Sequence, residues 1–516
     1  MKKIKTRLLT AVTMFAGAGL LLSGCFVPIP IPIPVPGPSA ESSSKPQPGI
    51  EPEASDEVEW EECGDGFKCA TVSSPMDWEN PDGKQISLYL VKQPAKGTNK
   101  LGTLFVNPGG PGGSGASFVR ESINYAVGEE LQQQYDVIGW DPRGVGQSSA
   151  VFCYDQAEMD EYLFGDPREF SDFKRGSDEW LEVARAEEKA FGEACLANTG
   201  ELLGFVDTVS TVRDLDRLRQ LVGDPKLNYL GYSYGTFIGA LYADMFAQNV
   251  GHMVLDGALA PDVTLFEVVL MQQQGFEAAT KTYLNECLSR SSCPFDGTVE
   301  TAMAEIGELI EKVDKNPIQA DDGRWVSSGT FITAIILPLY NEDNWPLLND
   351  LFAEMREGQP DTAQFLADYY FSRNLGFYED NSTEAFSAIN CLDYPAGGDA
   401  EQMRKEAAQI AKAAPTFGPY AGFGDVSCEV WPFDGPKERG PVRAEGSAPI
   451  LVIGTTGDPA TPYAWAERLV QQLESGVLIT NNGEGHGAYT SGNMCIDRTV
   501  EEYFLLDLVP SEDPDC

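Results

Sequence analysis

The stretch Leu227-Asn228-Tyr229-Leu230-Gly231-Tyr232-Ser233-Tyr234-Gly235-Thr236 decides the reading of this chain. Residues 227–230 have the apolar character of a short buried strand, and Thr236 to Ala243 read as a helix of small residues. Between them, Gly-x-Ser-x-Gly is the sharp strand-to-helix turn that lifts a serine hydroxyl above a sheet. Its two glycines let neighbouring backbone pass where a Cβ would collide. Ser233 is therefore the candidate nucleophile.

A serine hydroxyl needs a general base, and the chain of 516 residues offers only two histidines. His252 falls where the next strand should begin, at the wrong end of a parallel strand for chemistry, and reads as a surface histidine. His486 lies in Asn481-Asn-Gly-Glu-Gly-His486-Gly, directly after the apolar strand Gly476 to Thr480. The orienting carboxylate should then come between Ser233 and His486, because the chain order Ser, acid, His belongs to the strand-turn-helix elbow. Pro449-Ile-Leu-Val-Ile-Gly454 is a run suited to a strand buried on both faces, and Thr455-Thr-Gly-Asp458-Pro-Ala-Thr-Pro462 follows it. Asp458 is the expected acid, with a turn-capping role ahead of a helix near Pro462 as the competing explanation.

A second glycine cluster, Asn107 to Gly115, follows the strand Gly102 to Val106 and carries no phosphate-loop lysine. With the elbow it suggests an oxyanion hole built from the backbone N–H groups of Gly110 and Tyr234. A further strand and turn, Tyr135 to Ser148, contains Asp141 and Arg143, which are expected to form a structural ion pair beside the site.

Taken together, Asn107 to Gly115, Asp141-Pro-Arg-Gly144, Gly231 to Thr236, Asp256-Gly257, Asp458 to Pro462 and Gly485-His486 resemble the secreted tripeptidyl aminopeptidases of actinobacteria. These are relatives of the prolyl aminopeptidases in the α/β-hydrolase fold. The resemblance spans residues 58 to 516. Where prolyl aminopeptidases carry His-Gly-Gly-Pro-Gly, this chain has Pro108-Gly-Gly-Pro-Gly112, a departure that favours the tripeptidyl branch. The resemblance implies an α/β fold with a mostly parallel central sheet and helices on both faces. It also implies a serine peptidase that needs no metal or organic cofactor. Glu267 and Asp393 stand in stretches similar to the family's own, and are the expected anchors for a substrate's free α-amine.

The order of strands implies five segments. Residues 1–24 read as a signal peptide, with a basic start, an apolar stretch too short to span a bilayer, and Leu22-Ser-Gly-Cys25 as a bacterial lipobox that would lipidate Cys25. Residues 25–57, with the alternating prolines of Val27 to Pro38, read as an extended stalk. Residues 58–260 and 446–516 form the two parts of the hydrolase core. Between them 261–445 should be a large, mainly helical cap, from the periodicity of Leu265 to Met271 and Glu300 to Ile310.

Eleven cysteines less Cys25 leave ten, an even number in an exported chain, so five disulfides are expected rather than a metal site. The pairings favoured by spacing are Cys63–Cys69, Cys153–Cys195, Cys287–Cys293, Cys391–Cys428 and Cys495–Cys516. A formal net charge of −43, from 36 basic and 79 acidic residues, should repel nucleic acid and anionic lipid. The expected product is a monomeric exported enzyme, held at the outer face of the membrane by its lipid alone or secreted. It would act on peptides with a free N-terminus. A carboxylesterase or lipase-like hydrolase, and a non-catalytic surface-binding lipoprotein, remain the alternatives.

Overall fold

Buried apolar strands assemble the centre of the protein. The computed structural model describes residues 58–516 except 171–172, 396, 398 and 437–438, so the signal segment, Cys25 and the stalk lie outside the described residues. Nine strands form one sheet: β1 (Glu61–Glu62), β2 (Lys68–Pro75), β3 (Gln85–Gln93), β4 (Gly102–Asn107), β5 (Tyr135–Trp140), β6 (Leu227–Tyr232), β7 (Val250–Asp256), β8 (Ile450–Gly457) and β9 (Gly476–Glu484). Their spatial order is β1-β2-β3-β5-β4-β6-β7-β8-β9. From β5 onward every pairing is parallel, while β1 to β3 join antiparallel at one edge. Phe105, Val106, Leu230, Val254, Leu451 and Ile453 are fully buried, as a parallel sheet covered on both faces requires. One face packs against the helices around Val212, Leu215, Ile238 and Trp465, the other against those around Val119, Ile496 and Tyr503.

The antiparallel edge was not legible in the sequence, whereas β4, β6, β8 and β9 begin within one residue of the expected strands. Both β8 and β9 run past their expected ends, which delivers Asp458 and His486 close to the sheet's rim.

Between β7 and β8 the described residues form mainly helices, from Leu265–Cys287 to Asp425–Glu429, with loops between them and two short hairpins at 318–326 and 373–378. This cap has a core of its own, built on Phe276, Leu284, Ile306, Phe331, Leu348 and Phe352. Its composition is broader than the segment 261–445. The helix Asp178–Thr199, inserted between β5 and β6, packs Trp180, Leu181 and Ala184 onto Met403 and Val426. Arg185 also pairs with Glu429 at 2.9 Å, so two separate insertions share one layer.

All five expected disulfides are present and occupy every cysteine of the described residues. Cys391–Cys428 ties the helix Ser382–Asp393 to the end of the cap, and Cys495–Cys516 pins the C-terminus beside β9.

Burial holds several carboxyls well above their usual range: Glu384 is pushed up to about 8, Glu188 and Asp393 to about 7, and Asp141, Asp256 and Asp425 to about 6. Unfolded carboxyls titrate near ~4, so between that value and these raised ones the folded chain keeps protons that the unfolded chain releases. Stability therefore falls as pH rises through that window. The melting temperature is expected to increase from pH 8 to pH 5, in the same direction as relief of the chain's negative self-repulsion. Calorimetry across that range would refute the assignment if the melting temperature stayed flat or dropped on acidification.

Candidate active site

The elbow carries its strain at Ser233, which sits at φ 56° and ψ −124° between β6 and the helix Tyr234–Met245. A non-glycine residue at positive φ persists only where its surroundings hold it. Here the Ser233 N–H donates to the Asp256 carbonyl at 2.9 Å, and the Thr236 hydroxyl donates to the Ser233 carbonyl at 2.5 Å. Gly109 lies against the turn at φ +98°: a Cβ there would stand 2.9 Å from Ser233 Cβ and 3.0 Å from Tyr234 N. A Cβ on Gly235 would come within 2.8 Å of the Asn107 carbonyl, so the elbow's second glycine lets its helix meet the end of β4. Ser233 is completely buried, and its Oγ has no hydrogen-bond partner among the described residues.

His486 follows β9 and is equally enclosed. Its Nδ1 faces both Asp458 oxygens, at 2.8 Å and 3.0 Å. With a carboxylate accepting at Nδ1, the imidazole presents Nε2 as an acceptor. That Nε2 is buried and has no partner among the described residues, like the Ser233 hydroxyl. Gly257, the residue after Asp256, brings the two ends together, since a Cβ there would lie 3.0 Å from the His486 ring.

The two explanations for Asp458 turn out to be compatible. One oxygen, Oδ1, accepts from the N–H groups of Ala460 and Thr461 at 2.8 Å and 2.9 Å, a turn-stabilising role. Both oxygens face the histidine, and the Thr461 hydroxyl donates to Oδ2 at 2.8 Å while lying 3.1 Å from His486 Nδ1. Thr461 escaped the sequence reading, although a hydroxyl three residues beyond a loop aspartate was a usable signal.

Asp256 also went unassigned to any role. Its carboxylate is fully buried and accepts from Ala488 N at 3.0 Å and Tyr489 N at 2.8 Å. Its carbonyl meanwhile receives the Ser233 N–H, so one residue holds both the elbow and the loop that carries His486.

The expected pair of Asp141 with Arg143 is not formed. Asp141 instead accepts from Ser114 Oγ at 2.5 Å, Gln147 N at 2.8 Å and Ala116 N at 3.2 Å, and so ties its own loop to the start of the helix after the glycine cluster. Arg143 points away and forms a bidentate pair with Asp214, 2.7 Å at each end. Sequence neighbours two apart in a turn diverge, and a buried guanidinium goes where five acceptors can be supplied.

A cavity borders the elbow, lined among others by Gly110, Tyr234, Phe237, Phe386, Asp393 and Arg439. The two residues assigned to an oxyanion hole are thus among its lining residues. Asp393 is its one carboxylate among the described lining residues. Both its oxygens bind Thr208, Oδ1 accepting the backbone N–H at 2.8 Å and Oδ2 the hydroxyl, and Thr208 Oγ1 in turn contacts the Tyr234 hydroxyl. Glu267, the other expected amine anchor, has local partners. It closes a capping box with Thr264, accepting that residue's N–H at 2.8 Å, and lies 3.5 Å from Arg468, away from the cavity lining. Its position three residues into a helix, after a threonine, already matched a capping pattern. His252 sits at the opposite end of the sheet, 3.1 Å from Asp507.

Among the described residues no cluster of His, Cys, Asp and Glu is arranged to hold a metal ion. The profile of the α/β-hydrolase fold matches residues 102–319, and that of the TAP-like protein family matches residues 414–516, the part that supplies Asp458 and His486. "Serine protease Hip1" of Mycobacterium tuberculosis is 34% identical over 487 residues, covering 90% of this chain and 92% of its own. "Carboxylesterase B" of the same species is 32% identical, with 87% and 86% covered. "Tripeptidyl aminopeptidase" of Streptomyces lividans is 29% identical, with 89% and 86% covered. Similarity of this extent across both halves of the core, together with the fold they share, shows that the chain is a serine hydrolase belonging to the TAP-like family of α/β-hydrolases.

Proposed function

We propose that this hydrolase is an exported peptidase that releases short peptides, tripeptides in particular, from the free N-terminus of its substrates. The observation that carries the chemistry is the buried pairing of Asp458 with His486 Nδ1, with Nε2 and the Ser233 hydroxyl left without partners among the described residues. In this reading His486 Nε2 takes the Ser233 proton as Oγ attacks the scissile carbonyl, and the oxyanion is stabilised by the N–H groups of Tyr234 and Gly110. Collapse breaks the C–N bond as His486 returns the proton to the leaving amine. Water, deprotonated by the same imidazole, then hydrolyses the acyl-enzyme.

Asp393, the carboxylate on the cavity wall, supports recognition of an ammonium at the acyl end. A relative named tripeptidyl aminopeptidase supports the length of the released fragment. Five disulfides suit an oxidising compartment, and no helix among the described residues is long and apolar enough to cross a membrane. The proposed location is therefore outside the cell, retained by lipid on Cys25 or released.

The test is a panel with one fluorogenic leaving amine: a free-amine tripeptide amide, its N-acetylated twin, single-residue amides and a short-chain ester. Cleavage of the free-amine tripeptide well above the rest is expected. Equal or faster cleavage of the acetylated twin would eliminate amine recognition. Activity confined to the ester would establish the second reading, a carboxylesterase, which the relative named carboxylesterase B favours.

A further inference from the structure

Arg439 brings a positive charge to the lining of the cavity that Tyr234, the residue after Ser233, also lines. Its Nε donates to the Pro261 carbonyl at 2.9 Å. Its guanidinium carbon lies 4.0 Å from the ring centroid of Phe237, on the elbow helix, and 4.0 Å from that of Tyr394, which ends the cap helix Ser382–Asp393. The planar group is thus clamped between the core and the cap. Both Nη atoms are buried, and neither has an acceptor among the described residues.

Ring contacts of this kind are worth about 0.5–2 kcal/mol and would explain a purely structural arginine. They do not satisfy the four N–H bonds of the two Nη atoms, and buried donors without acceptors are costly, more so when charged. The contrast with Arg143 is instructive, because there a fully buried guanidinium has an acceptor for every donor. Asp393 shares the cavity lining, but its oxygens are occupied by Thr208. Arg439 and Asp393 already feel each other's charge, but Asp393 gives the Nη atoms no hydrogen bond, and a clamped fork with two idle ends matches the paired oxygens of a second carboxylate.

We propose that Arg439 is a specificity-determining residue that binds a carboxylate in the acyl part of the substrate, so that the site prefers peptides bearing Asp or Glu within the released fragment. This rests on the peptidase reading and names its substrate class. One anion and one cation on the wall, Asp393 and Arg439, then face an acyl end that carries an ammonium and a carboxylate.

The test compares free-amine tripeptide amides that differ only in Ala, Gln or Glu at each position in turn, using the whole mature enzyme. At one position Glu should exceed Gln by about tenfold or more in kcat/KM. Arg439→Met should bring that ratio to about one or below, and Arg439→Lys, which keeps the charge without the fork, should give an intermediate value. Absence of a Glu preference at every position, or its persistence in Arg439→Met, would overturn the assignment. A uniform loss on Ala, Gln and Glu substrates alike would also overturn it, pointing to main-chain carbonyls or to packing. Labelling of Ser233 by a fluorophosphonate separates the two levels. An enzyme that labels but cleaves no free-amine peptide removes the peptidase reading, whereas one that cleaves without a Glu preference removes only the role of Arg439.

Discussion

Ser233→Ala is expected to lower kcat/KM by about 10⁴–10⁶-fold and to abolish fluorophosphonate labelling, while leaving stability within ~0.5 kcal/mol of wild type. The stability expectation is specific to this site. Ser233 Oγ has no partner among the described residues to lose, and alanine keeps the Cβ that already tolerates φ 56°. Asp458→Asn should fall nearly as far, about 10⁴-fold, for a different reason. The asparagine carbonyl would take the N–H groups of Ala460 and Thr461, which turns the amide nitrogen toward His486 Nδ1. A donor there selects the wrong tautomer, placing the proton on Nε2, where it cannot accept from the serine. More than about one per cent residual activity in Ser233→Ala would remove the elbow assignment. Full activity in Asp458→Asn would leave the serine in place but require another acid.

Arg143→Met should produce the largest loss of stability, about 3–5 kcal/mol by denaturant unfolding. Arg143 and Asp214 have side chains with no exposure. All five guanidinium donors are used: Nε and Nη2 on Asp214, Nη1 on the carbonyls of Met76 (2.9 Å) and Phe205 (2.8 Å), and Nη2 again on Pro75 (2.9 Å). Asp214 also accepts from Ser74 at 2.6 Å and Trp78 at 3.2 Å. Removing the arginine strands a buried carboxylate and three carbonyls, so most of the cost is the orphaned charge and not the lost attraction. Arg143→Met combined with Asp214→Leu should therefore recover a substantial part of the deficit. Additive losses in the double variant would mean that the pair is not coupled as its geometry indicates.

Local patterns proved informative wherever one residue type can do one job. The elbow glycines, the scarcity of histidine and the apolar runs before Asp458 and His486 placed the three chemical groups at the ends of parallel strands. An even set of cysteines, with its spacing, led to the five pairings. The antiparallel edge β1 to β3 has no comparable signature, because its strands are short or partly exposed and their burial depends on what packs over them.

Side chains that satisfy one another across distant segments were a different matter. Asp256, Thr461, Thr208 and Arg439 are unremarkable letters in sequence. Their roles arise from donors and acceptors contributed by loops up to hundreds of residues away, as in the Asp256 contact with Tyr489. The Asp141 and Arg143 pairing failed because adjacency along a chain does not imply adjacency of side chains in a turn. Glu267 caps the start of its own helix, a local role that its place three residues after a threonine allowed. The sequence by itself determined the sheet's parallel strands, the order of serine, acid and histidine, and the covalent cross-links, since these follow from short-range backbone geometry and residue chemistry. Only the tertiary structure decided which buried charges pair, which carboxylate faces the cavity and which cation stands opposite it, because desolvation forces each buried polar group to find partners that folding alone brings within reach.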